Sequence, residues 1–168
     1  MLEKQFLDNY SGQTTDELIA LQSVYRTDSI VLAFEQALDQ KAYRVGSFNL
    51  SNEEIIVLAI ESLEREVNNG GYDQYFINSS REYAAIIVDS LNKIGSKEGA
   101  NITQTAIDIL NIEGVITEEK IEEIMGSYSD ERRNLLSKCD EMYFTEVGDL
   151  SENLFEYILA NREKIVLF

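Results

Sequence analysis

No proline interrupts the 168 residues of this chain. Average usage of about 5% would supply roughly eight. Helix interiors exclude proline, because its ring removes a donor and collides with the preceding turn. A chain without it can be helical almost from end to end. The apolar spacing agrees, following the i, i+3, i+4, i+7 pattern nearly throughout. Thr14–Glu17 and Ser51–Glu54 spell capping boxes, and Ser79-Ser80-Arg81-Glu82 reads as a third. Asp28, Thr117, Ser129 and either Asp149 or Ser151 are placed to cap further helices. Ile55 to Ile60 runs without a polar break, which places that helix at the domain centre. Leu135, Leu136, Cys139, Met142 and Tyr143 are expected on the packed face of a later helix. Ile165–Phe168 is a short apolar tail with no partner strand, expected to pack as coil or a helical end. Nothing resembles a long linker or an internal repeat. The reading is all-α: a single domain over residues 1–168 with about eight or nine helices.

Composition narrows the chemistry. There is no histidine, which excludes Ser-His-Asp and Cys-His catalysis and most zinc sites. Cys139 is the single cysteine, so no intramolecular disulfide can form. Its apolar neighbours Leu135 and Met142 predict a buried, inert thiol. No apolar run reaches about eighteen residues, and the first residues lack the apolar core of a signal peptide. A cytoplasmic protein without a membrane partner is the expectation.

The charge is uneven. Thirty-one acids against fourteen bases leave −17, and residues 101–168 alone hold fifteen acids and six bases. Such a surface repels nucleic acid and anionic membranes and attracts cations or basic protein faces. Glu118, Glu119, Glu122 and Glu123 crowd one and a half helical turns. Asp140, Glu141, Glu146, Asp149, Glu152 and Glu156 follow with no Lys or Arg between Cys139 and Asn161. Like charges at i, i+4 cost a helix a few tenths of a kcal/mol per pair. The helix dipole accounts for those in a first turn, Glu118, Glu119 and Glu152, but not for Glu122, Glu123 or Glu156. Acids at i and i+4 stand roughly 6 Å apart along a helix axis. That is comparable to the separation of phosphates along one DNA strand, with about 3.4 Å of rise per nucleotide. These ten acids are the candidate partner-binding surface. No calcium-loop pattern accompanies them, and nothing marks a catalytic carboxylate pair, so neither cofactor nor metal is expected.

One stretch is unlike the rest: EVNNGGYDQYFINSS, residues 66–80. Asn68, Asn69, Gly70 and Gly71 form a helix stop, since Asn and Gly tolerate the left-handed conformation. Tyr72, Tyr75 and Phe76 then share one face of a short helical turn. Asn78, Ser79 and Ser80 close it and restart the chain. The amides of Asn68, Asn69, Gln74 and Asn78 are expected to satisfy loose backbone groups at the helix ends. The alternative is a polar pocket in which those amides read a ligand. Only Glu66 and Asp73 could add charge to it.

These fifteen residues resemble the hallmark of the DNA mimic protein family, small acidic bacterial proteins. That hallmark reads Glu-Val-Asn-Asn-Gly-Gly, an aromatic, any residue, Gln, two aromatics, any residue, Asn-Ser-Ser. The surroundings are similar too: an apolar helix before it, an Ala-rich helix ending at Gly95, Leu135-x-x-x-Cys139-Asp140-x-x-Tyr143, then Tyr157 and Asn161. The resemblance covers about residues 20–162. Arg81 departs from it, standing where glycine often follows Asn-Ser-Ser. The resemblance implies an all-helical domain whose motif is structural. It also implies a non-enzymatic dimer that occupies the DNA-binding face of a transcription factor, such as a helix-turn-helix regulator, without binding nucleic acid itself. An immunity-type inhibitor of a basic toxin would need the same charge. A small-ligand or enzymatic domain would instead use the motif as a pocket.

Overall fold

The computed structural model describes residues 3–168. The fold is all-α. Its α-helices are α1 (Thr15–Ala20), α2 (Thr27–Val45), α3 (Asn52–Ile77), α4 (Ile87–Lys93), α5 (Lys97–Ile109), α6 (Glu118–Met125), α7 (Asp130–Met142) and α8 (Ser151–Ala160). Among the described residues the only β feature is an isolated bridge between Gln5 and Tyr25. The chain forms two compact units, residues 1–61 with 151–168, and residues 62–150. The division falls within α3.

In the first unit, α2 packs against α8. Phe34, Leu38, Val57, Ile60, Leu154 and Ile158 are fully buried there. Ile56 to Ile60 are buried without exception, as an uninterrupted apolar run requires. Both capping boxes form: Thr14 with Glu17, and Ser51 with Glu54. The buried Glu54 carboxylate also takes Lys41 Nζ at 2.7 and 2.9 Å and the Val166 N–H at 2.8 Å. Buried carboxylates need such pairing, because unpaired charge is costly to desolvate. The C-terminal tail is thereby tied down as coil, with Ile165 and Leu167 buried. Asp28 does not cap α2. It lies inside the first turn, where Oδ1 accepts from the Ser29 N–H and from Arg26 Nε, and Arg26 at the cap position contributes no capping bond of its own.

In the second unit, α4, α5 and α7 pack around Tyr72, Tyr75, Phe76, Ile87, Leu91 and Leu136. Thr117 and Ser129 cap α6 and α7 as their positions predict. The expected box at Ser79–Glu82 does not form. Residues Ser79–Tyr83 are a 3-10 turn without a side-chain cap, and the following helix shrinks to α4. Ser79 lies inside that turn and not at its cap position, which Asn78 holds, and the neighbouring Ser80 hydroxyl donates to a carboxylate fourteen residues back. On α7 the buried stripe is Leu136, Cys139 and the succeeding Tyr143, while Leu135 and Met142 are more than a third exposed. One π-helical turn, Tyr143–Val147, follows α7.

Candidate functional site

The motif is a helix break held by carboxylates. Helix α3 ends its regular course at Gly70 and Gly71, which are not helical. Gly71 has φ +75°, a left-handed value that side chains disfavour. A Cβ at Gly71 would also land in the Asp140 carboxylate. Asp140 Oδ1 accepts the Tyr72 N–H at 2.7 Å, capping the restarted turn across 68 residues of sequence. Burial pushes the Asp140 carboxyl above its usual range, and Asp73 and Glu141 add to the rise against the Tyr72 bond.

Tyr72, Tyr75 and Phe76 are fully buried, as the one-face spacing predicts. Tyr72 Oη bonds Thr103 Oγ1 at 2.7 Å, and its ring meets Tyr143 edge-on at 6.0 Å. Tyr143 in turn donates to the Glu64 carboxylate. Burial raises the Glu64 pKa, outweighing that bond. The EVNNGG stretch and the Cys-Asp-x-x-Tyr stretch, far apart in sequence, are therefore one packed centre.

Glu66 organises the rest. Its side chain is buried, and Oε2 accepts Gln74 Nε2 at 2.7 Å and Asn78 Nδ2 at 2.9 Å. Oε1 accepts Ser80 Oγ at 3.2 Å. Burial pushes its carboxyl up, but the three donors together hold it below the usual range. The amides thus do not bind helix-end backbone as expected, except at Asn68, whose Nδ2 donates to the Glu64 carbonyl. Asn68, Asn69 and Ser79 are exposed. Cys139 is buried, and its thiol pKa is raised by burial and then by Asp140.

The ten candidate surface acids divide. Nine are exposed: Glu118, Glu119, Glu122, Glu123, Glu141, Glu146 and Asp149 in the second unit, and Glu152 and Glu156 in the first. Asp140 is not among them; it is half-buried and occupied as the Tyr72 cap. Two α6 acids also have an internal counter-ion that sequence spacing hid. Arg81, 15% exposed, reaches Glu118 at 3.5 Å and Glu122 at 3.3 Å. It relieves the like-charge pair on that face and leaves Glu119 and Glu123 without such a partner. No group of three or more His, Cys, Asp or Glu among the described residues could hold a metal ion.

A family model matches residues 48–161, well over half of the chain, and is described as DMP19-like protein. The chain belongs to the DMP19-like family. The matched span contains both halves of the packed centre and all the surface acids named above. No curated protein and no solved structure matches the chain. The DMP19-like span begins before α3 and ends just past α8, so it draws on both compact units.

Proposed function

We propose that this chain is a non-enzymatic DNA mimic. Its exposed carboxylates would occupy the basic DNA-binding face of a transcription factor or other DNA-binding protein. The observation that carries the reading is the sorting of the acids. Of the ten singled out by the charge pattern, nine face solvent, and Asp140 is the one drawn into the packed centre. Membership of the DMP19-like family is compatible with that role.

The physics favours a cationic partner. The second unit holds eighteen acidic and eight basic side chains, leaving −10. Exposed carboxylates spaced along α6 offer a row of anions to arginines and lysines that otherwise meet phosphates. Arg81 fixes Glu118 and Glu122, which removes part of the entropy cost of holding long side chains in place. Most of the motif's hydrogen-bonding groups are occupied internally, which makes it a scaffold for that surface.

The test is capture at low salt followed by competition. A DNA-binding protein retained by the immobilised chain should be released by duplex DNA and by raised salt, because exposed charges screen within about 10 Å at 0.1 M. Retention of a basic toxin that duplex DNA does not displace would replace this reading with an inhibitory one.

A further inference from the structure

Where α6 gives way to α7, the second unit brings two arginines together. A cavity of about 230 Å³ is lined by Arg132, Arg133, Tyr128, Asp73, Ile77 and Met125, among others. Arg132 is partly buried and donates through Nη2 to the Ser127 carbonyl. Its Nε is shielded from solvent and has no acceptor within the protein. Arg133 lies over the Tyr128 ring at 5.5 Å and reaches the Tyr128 hydroxyl at 3.3 Å. Tyr128 in turn donates to Asp130. Two arginines held against one cavity, one with a shielded and unused N–H, are unusual in a chain of charge −17.

We infer that this cavity binds a small monocarboxylate through Arg132. A guanidinium presents Nε and Nη as a fork that matches the two oxygens of a carboxylate. The Ser127 bond fixes the guanidinium plane with one Nη2 hydrogen, leaving Nε–H and the remaining Nη hydrogens for the carboxylate. Arg133, braced by Tyr128, adds a second positive charge. Asp73 on the same wall decides between anions: its charge opposes a dianionic phosphate more than a single carboxylate. Ile77 and Met125 give a short apolar tail a surface to pack on. This inference is independent of the acidic surface and of the partner it serves.

Nitrogen-15 NMR of the arginine Nε–H groups tests it on the intact chain. Sodium acetate, sodium propionate, sodium phosphate and sodium chloride are titrated at constant ionic strength. Arg132 and Arg133 signals are assigned from Arg132→Lys and Arg133→Lys spectra. The Arg132 Nε–H signal should move saturably with acetate and propionate, at millimolar concentrations appropriate to ligands of a few heavy atoms. Propionate should bind more tightly than acetate. Asp73→Asn should tighten both severalfold, a gain that a purely structural Asp73 would not produce. Arg132→Lys should abolish the saturable shift of Arg133. A carboxylate response that is linear and equal to chloride overturns the inference. So does tighter binding of phosphate than of either carboxylate.

Discussion

The sharpest structural prediction concerns Glu66→Ala. Three donors converge on that carboxylate, and removing it strands them unequally. The Ser80 hydroxyl is buried, so losing its acceptor costs about 1–3 kcal/mol. The Gln74 amide is half-buried and should lose about 1 kcal/mol. The Asn78 amide is exposed and can turn to water, so it adds little. Lost methylene burial adds about 0.8 kcal/mol per group, partly offset by alanine's better helix propensity. The sum is about 3 kcal/mol. With a urea dependence of about 2 kcal/mol/M, the unfolding midpoint followed by circular dichroism should fall by about 1.5 M. Glu66→Gln keeps one acceptor oxygen and should lose about half as much.

The pH dependence gives an independent check on Glu66. Its folded pKa lies below the ordinary 4.5. Its contribution as a carboxylate is therefore complete above that value and is lost as pH falls through the folded pKa. The gap between wild type and Glu66→Gln should narrow over that acidic window. A Glu66→Ala midpoint within experimental error of wild type at pH 7 would refute the idea that this carboxylate holds the motif together.

Other consequences follow from the same centre. Gly71→Ala meets both a left-handed φ and the Asp140 carboxylate, so a loss of about 2–4 kcal/mol is expected in thermal unfolding. Gly148→Ala, at φ +69° with open space around the missing Cβ, should lose only about 1 kcal/mol. Asp140→Asn keeps an acceptor for the Tyr72 N–H and removes a carboxylate whose folded pKa is raised by burial. A raised acid pKa disfavours folding at neutral pH and ceases to do so as pH falls through it. The variant should match or exceed wild-type stability at pH 7, while Asp140→Ala should fall below it by about 1–2 kcal/mol. Arg81→Met should leave α6 with an unrelieved Glu118–Glu122 pair and increase local amide exchange there.

Much of this was legible in the sequence, for identifiable reasons. Local rules found what is local: the boxes at Thr14 and Ser51, the caps at Thr117 and Ser129, the stop at Gly70-Gly71 and the burial of Tyr72, Tyr75 and Phe76 all form. The misreadings are places where a distant group won. Ser79 looks like a helix cap but falls inside a 3-10 turn, beside a Ser80 held by Glu66. Asp140 looks like one more surface acid but caps Tyr72. The acids at Glu118 and Glu122 look unrelieved until Arg81, nearly forty residues earlier, reaches them. Glu64 carries no local mark of its role, because the Tyr143 hydroxyl that reaches it comes from 79 residues away. Spacing rules carry no information about partners so far apart in the chain.

The central claim is that exposed acids, and not the motif, engage a basic partner. The most direct measurement compares partner affinity for two variants by titration calorimetry across a salt series. One is Glu119→Gln with Glu123→Gln, Glu141→Gln and Glu146→Gln; the other is Ser80→Ala, which disturbs the Glu66 cluster. The fourfold neutralised chain should bind at least tenfold more weakly and show a shallower salt dependence, while Ser80→Ala binds as wild type. Unchanged affinity in the neutralised chain, with loss in Ser80→Ala, would place the binding site in the motif and contradict the claim.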